Sequence, residues 1–247
     1  MTLSEFFGRF LFVRKCAACG ELLPYEKERE AFCDTCRAKW DIEKTFECGV
    51  CGKAVCECIC MPRELSGSGA LCLHKAVKYS ADNSSAHNAV MFLKRNKNPR
   101  TAGFLAAQML SVLSADKELP TMEPENTIIT FVPRSRNAVL RYGFDQARLL
   151  AEALSERTGI ACEETVRRRR NGREQKKLNA AQRKRNVKHL FEPIANIDEA
   201  VSGKNIILID DIVTTGASMA ACVSYLVRAR AGKIICLSVA AVYKDKS

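Results

Sequence analysis

The stretch NIILIDDIVTTGASMAACVSYL, residues 205–226, narrows the possible folds more than any other part of this chain. Ile206 to Ile209 is an unbroken apolar run of the kind that forms a strand buried on both faces. Asp210 and Asp211 follow it, then the loop Thr214-Thr215-Gly216-Ala217-Ser218. A helical pattern then runs from Ser218 to Ala231, with Gly232 in the C-terminal capping place. A strand buried on both faces and followed at once by a helix belongs to a parallel sheet, whose crossovers are helices. The rest of the C-terminal region alternates in the same way. After the stretch Leu71–Tyr79, residues 87–94, 99–113 and 146–157 read as helices, and Thr127–Val132 and Ile234–Val242 as strands. An α/β domain with a largely parallel sheet is expected.

In such a sheet ligands bind at the carboxyl ends of the strands, where Asp210 and Asp211 would emerge. The start of the following helix offers unpaired backbone N–H groups and the positive end of its dipole, which suits a phosphate. Gly216 allows close backbone approach, and Thr214, Thr215 and Ser218 add hydroxyl donors. The two acids would repel that phosphate, so they suit hydroxyl groups, a magnesium ion or a growing positive charge beyond it. A ligand with a phosphate at one end and a sugar diol further along satisfies both halves. There is no GxxxxGK[ST] loop and no dinucleotide fingerprint, which excludes those nucleotide sites.

Ten of the thirteen cysteines lie at or before Cys72; Cys162, Cys222 and Cys236 are scattered and read as core-filling. Cys16-x2-Cys19 and Cys33-x2-Cys36 have the spacing of a zinc ribbon, two thiolates from each knuckle on one tetrahedral ion. Cys48-x2-Cys51 opens a second unit, for which Cys56 and Cys58 are the next thiols, but Cys60 follows closely and five thiols for four places leave the set open. Trp40 and Phe46 read as packing residues of this module. His74, His87 and His189 stand apart from any paired-ligand or acid–serine arrangement and read as ordinary core or surface histidines.

Charge is as uneven as the cysteines. Residues 167–188 carry eleven Lys or Arg against one acid, a local balance of +10 in a chain whose net charge is +11. Few apolar residues and Gly172 make this segment an exposed, mobile arm, able to attract anions or nucleic-acid phosphates.

LIDDIVTTGAS resembles the phosphoribosyl-pyrophosphate (PRPP) signature of type I phosphoribosyltransferases. Pro133-Arg134-Ser135-Arg136 after a short strand resembles that family's pyrophosphate loop. Downstream lie Arg141-Tyr142-Gly143-Phe144-Asp145-Gln146, then Gln175, Leu178, Arg183 and Asn186 at the spacing QxxLxxxxRxxN. With the multi-CxxC module in front, nearly the whole chain resembles the ComF family of competence-associated proteins. The resemblance implies a type I phosphoribosyltransferase fold after a zinc-ribbon module. It also implies that Asp210 and Asp211 hold the ribose hydroxyls, that residues 214–218 wrap the 5′-phosphate, and that Pro133, Arg134 and Ser135 meet the pyrophosphate. Gln175, Leu178, Arg183 and Asn186 would then belong to a flexible loop closing over PRPP. Where the family has RGFNQ this chain has Tyr142 and Asp145, which weakens a phosphate-binding role for that segment.

Two functions follow from the resemblance. One is a transferase dependent on Mg2+ and PRPP; the other is a non-catalytic nucleic-acid accessory protein on the same fold. DNA uptake in natural transformation, or nucleotide metabolism, is the implied setting, with single-stranded DNA and a competence helicase as partners. The expected organisation is an N-terminal helix and zinc-ribbon module over residues 1–65, a Ser66–Gly69 linker, and the α/β domain over 70–247. The apolar stretch at residues 3–13 is too short to span a bilayer and carries Glu5 and Arg9, so a cytoplasmic protein with no membrane insertion is expected.

Overall fold

The computed structural model describes residues 14–27, 29–81, 84–116, 122–169 and 189–243. Helix α1 (Asp34–Lys44) lies in the cysteine-rich region. Strand β1 (Cys72–Tyr79) is followed by α2 (Ser85–Arg95) and α3 (Pro99–Leu113). Next come β2 (Thr127–Phe131), α4 (Arg136–Tyr142), α5 (Gln146–Thr158) and β3 (Ala161–Cys162). The chain continues through β4 (Val166–Arg168), β5 (Phe191–Pro193), α6 (Ile197–Val201), β6 (Asn205–Val213), α7 (Ala217–Arg228) and β7 (Ile234–Val242).

Five strands form one parallel sheet in the order β1-β7-β6-β2-β3. Its strands are apolar without alternation because both faces are covered. Ile207 and Ile209 face a core with Val90, Leu105, Met109 and Leu150, from α2, α3 and α5. Ile206 and Leu208 face the other core, with Val223 and Leu226 of α7 and Phe191 of β5. Side-chain caps fix where the helices begin. Ser84 accepts from the His87 N–H at 2.9 Å, and Asn98 from the Thr101 N–H at 2.9 Å with Pro99 behind it.

The cysteine-rich region packs into the first of these cores. Trp40 is fully buried, with its ring centroid 5.6 Å from Phe32 and 5.4 Å from Phe104 of α3. Its Nε1–H donates to Gln108 Oε1 at 3.2 Å. Residues 66–69 form a turn rather than an open tether. Leu65 is buried, and a Cβ on Gly69 would stand 2.6 Å from Val227 Cγ2.

Local departures from the sequence reading have physical causes. Strand β6 runs through both aspartates to Val213, because Asp210 still pairs with Ser238 and Ile212 with Ala240. Helix α7 stops at Arg228, and Arg230, not Gly232, takes the left-handed backbone, with φ 57°. Gly232 serves close approach instead: a Cβ there would meet Asn205 Oδ1 at 2.9 Å. The short helix α4 was not foreseen. Most of the expected N-terminal helix, and all of 170–188, lie outside the described residues.

Candidate functional site

Because β6 is central and parallel to its neighbours, Asp210 and Asp211 lie at the carboxyl edge of the sheet. The two carboxylates are held differently. Asp211 is buried and its Oδ2 accepts from Gln146 Nε2 at 2.7 Å and from Lys94 Nζ at 3.1 Å. Its Oδ1 accepts from the Ile212 N–H at 2.7 Å. Asp210 is half-buried and has only a local bond among the described residues, its Oδ1 accepting the Asp211 N–H at 2.8 Å. Desolvation, then the charge of Asp211 beside it, pushes the Asp210 carboxyl well above the usual carboxylate range; Lys94 pulls it back and Asp145 adds to the rise. A site that strains to hold two negative charges gains from a cation or from hydroxyl donors.

The loop after β6 enters α7 through Gly216, whose φ is 77°. Among the described residues no side chain caps this helix start in the usual way, and the Thr215 hydroxyl reaches only the Ala217 N–H, at 3.4 Å. The remaining first-turn N–H groups are available to an anion. Thr214 and Thr215 are exposed, Ala217 and Ser218 half-buried, and Gly216 buried. Leu65 and Pro62 do the covering: a Cβ on Gly216 would lie 2.9 Å from Leu65 Cβ. The glycine is therefore required by its backbone and by this contact, whatever the loop binds.

Pro133, Arg134 and Ser135 follow β2 at the same edge. Ser135 caps α4, its Oγ accepting from the Ala138 N–H at 3.3 Å. Asp145 ties this loop to α5. One oxygen accepts from the Arg134 N–H at 2.6 Å, and the other from the N–H of Ala147 at 3.0 Å and of Arg148 at 3.4 Å. Burial raises the Asp145 carboxyl, and those N–H groups partly offset the rise. The Arg134 guanidinium lies 4.6 Å from the Tyr142 ring centroid, and its Nη1 is buried without a partner among the described residues. Both departures from the family pattern thus have placed roles: Tyr142 supports Arg134, and Asp145 holds the backbone of that residue. Lys94 carries no signal in the sequence, and Gln146 stands out there only as the end of the Arg141–Gln146 stretch, with no role toward Asp211.

Two cavities open at this edge. One, of about 670 Å³, is lined by Pro133, Arg134, Arg136, Arg148, Arg167 and Arg168, with Asp145, Glu164 and Glu192 among its acids. Arg167 and Arg168 lie on β4, which pairs antiparallel with β5, so the first arginines of the basic segment and Glu192 of β5 line this cavity together. The other, of about 550 Å³, joins Thr214 and Thr215 to Lys75, Arg63, Tyr243 and the cysteine module at Cys48 and Cys60. Gln175, Leu178, Arg183 and Asn186 lie outside the described residues.

Cys16, Cys19, Cys33 and Cys36 come together with sulfurs within 4.8 Å of one another. Cys16-x-x-Cys19-Gly20 and Cys48-x-x-Cys51-Gly52 are alike in build, each glycine donating back to the first cysteine's carbonyl at 3.0 and 2.8 Å. The N–H groups of Ala18 and Cys33 both reach Cys16 Sγ at 3.4 Å. Burial raises the Cys16 thiol, but these N–H groups and that of Cys19 outweigh it and bring it to about 7. Cys36 goes the other way, raised by burial and then by the sulfurs of Cys33, Cys19 and Cys16. Crowded sulfurs, one already stabilised as thiolate, suit a dication. In the second group the structure sets Cys60, not Cys56, beside Cys48, Cys51 and Cys58. Cys56 instead packs against the first of the two cores.

Residues 138–247 match the phosphoribosyl transferase domain, and the chain carries that domain. The match holds both aspartates and the whole 214–218 loop. Among curated proteins the chain is similar to the DNA utilization protein YhgH of Salmonella typhimurium, 33% identical over 138 residues, covering 55% of this chain and 58% of that protein. YhgH of Escherichia coli is 34% identical over 134 residues, covering 52% and 56%. The matched stretch thus spans a little over half the length of these relatives. These findings support the ComF-type resemblance, and the cysteine groups are compatible with zinc ribbons. Among solved structures, an adenine phosphoribosyltransferase aligns over 61% of this chain and 84% of its own, at 20% identity and TM-score 0.37. Another, from Thermoanaerobacter pseudethanolicus, aligns over 59% and 82%, at 15% identity and TM-score 0.34. Among the described residues no helix is long and apolar enough to cross a membrane.

Proposed function

We propose that this is a PRPP-binding protein of the ComF type, acting in the cytoplasm and linked to DNA utilisation. The supporting observation is the run from Asp210 and Asp211 through residues 214–218 into the uncapped start of α7, within a phosphoribosyl transferase domain. Residues 214–218 receive the 5′-phosphate, Asp210 faces the ribose hydroxyls, and Asp211 is kept in place by Gln146 and Lys94. Arg134, with the arginines around its cavity, meets the pyrophosphate. In the enzyme reading an acceptor nucleophile bonds to ribose C1 as the C1–oxygen bond breaks, and pyrophosphate leaves with the electron pair. Fixed positive groups favour that departure, and the aspartates offset positive charge growing on the ring. Mg2+, bound with PRPP, supplies further neutralisation of the pyrophosphate. The two cysteine quartets hold structural Zn2+, and residues 1–65 form a module preceding the 70–247 domain. In this reading the segment containing Gln175, Leu178, Arg183 and Asn186 serves PRPP binding.

The relatives' name, DNA utilization protein, favours a DNA-linked role as the second reading. There the arginines of β4 and the segment after it engage single-stranded DNA, with a helicase as partner. Paired titrations with PRPP and single-stranded DNA, on wild type, Asp210→Asn and Thr215→Val, separate the two. Asp210→Asn and Thr215→Val are expected to weaken PRPP binding while leaving DNA binding unchanged. Undiminished PRPP affinity in both folded variants would remove the PRPP site from residues 210–218.

A further inference from the structure

Cys72 and His74 lie two residues apart on β1, so their side chains leave the same face of the sheet. Asp116, just past the end of α3, reaches the same point. His74 Nε2 is 2.6 Å from Asp116 Oδ2 and 3.6 Å from Cys72 Sγ. Cys72 Sγ is in turn 3.7 Å from that carboxylate oxygen. Cys72 and His74 are 6% and 4% exposed.

A thiol, an imidazole and a carboxylate can form a nucleophilic relay, but there the ring stands between its partners, one nitrogen toward each. Here a single nitrogen, Nε2, faces both the sulfur and the oxygen, so no proton path runs through the ring. Three donor atoms converging on one point is the arrangement of a metal centre. Bonds of about 2.0–2.3 Å to a tetrahedral ion put neighbouring donor atoms roughly 3.3–3.8 Å apart. Both separations from the Cys72 sulfur already lie in that range. Only the nitrogen–oxygen pair has to part, by roughly 0.7 Å, to admit the ion.

We infer that Cys72, His74 and Asp116 form a third metal site, distinct from the cysteine quartets, that takes Zn2+ through mixed sulfur, nitrogen and oxygen ligands. Thiolate with imidazole favours zinc over the hard cations that bind with phosphates. Among the described residues no further His, Cys, Asp or Glu joins the group. The site lies at the start of β1, at the opposite end of that strand from the carboxyl edge. Its role is to fasten the edge strand of the sheet to the end of α3.

The test is zinc per chain in the full-length protein, saturated with Zn2+, freed of loose metal by gel filtration and measured by mass spectrometry. His74→Ala is expected to carry one zinc ion fewer than wild type, and so is Asp116→Asn, whose side chain is 13% exposed and easier to replace. A folded variant of either kind that retains the wild-type zinc count overturns the site. If neither variant folds, the wild type decides: three ions per chain at saturation support the site, and two or fewer overturn it.

Discussion

Replacing Lys94 by methionine keeps the aliphatic stem and removes the charge opposite Asp211. The Lys94 and Asp211 side chains are 23% and 7% exposed, with 3.1 Å between charged atoms. Removing one member of a fully buried ion pair costs about 3–5 kcal/mol, because the other charge is left unpaired. Lys94 reaches solvent in part, and Asp211 keeps the Gln146 amide and the Ile212 N–H, so the loss here is about 2–3 kcal/mol. For a chain of this size that lowers Tm by roughly 4–12 °C. Adding Asp211→Asn to Lys94→Met removes the stranded charge and restores most of the loss, a non-additivity that contacting residues show and distant ones do not. Thermal unfolding of wild type, both single variants and the double variant, in zinc-containing buffer, provides the measurement. A Lys94→Met shift of less than about 2 °C, or a double variant no more stable than Lys94→Met, would refute the view that Lys94 holds Asp211.

Other outcomes follow from the same geometry. Trp40→Ala empties a site between Phe32 and Phe104 and should destabilise by about 3–5 kcal/mol, read as a fall in Tm, while Gln108 keeps its bond from Lys44. Cys33→Ser should lower bound zinc by one ion per chain, and Cys60→Ser should do so in the second quartet while Cys56→Ser does not; metal analysis separates them. Gly216→Ala should destabilise the fold through its positive φ and the Leu65 contact even without ligand, so a Tm unchanged from wild type would contradict the packing described. If β4 contributes to DNA binding, Arg167→Ala with Arg168→Ala should flatten the salt dependence of single-stranded DNA affinity, with each lost phosphate contact reducing the log–log slope by about 0.7.

What could be read in advance depended on distance along the chain. Strand, acids, loop and helix of 205–228 are contiguous, so period, glycine and charge were enough to place them. The first cysteine quartet was legible for a similar reason: its two C-x2-C pairs are neighbours in the chain, separated by thirteen residues. The second was not, because five thiols lie close together and only three dimensions separate them. Cys58 and Cys60, two apart in extended chain, face the quartet, whereas Cys56 sits in the short turn of helix at Val55–Glu57. Lys94 reaches Asp211 from α2 with no local pattern to mark it, and Gln146, although it ends the Tyr142–Gln146 motif, shows its bond to Asp211 only in the fold. His74 was read as solitary, yet Cys72 two residues before it on a strand was a usable signal; only Asp116 required the fold. Gly232 shows the reverse error, since a cap was expected where close backbone packing holds the glycine.

Whether the carboxyl edge of β6 is a PRPP site is decided by calorimetric titration of the wild-type chain with PRPP, with and without Mg2+. Saturable binding of one PRPP per chain is expected, strengthened by Mg2+ and displaced by both pyrophosphate and ribose 5-phosphate, each competing for one half of the site. No saturable heat at millimolar PRPP with Mg2+ present, from protein shown to be folded and zinc-loaded, would contradict it.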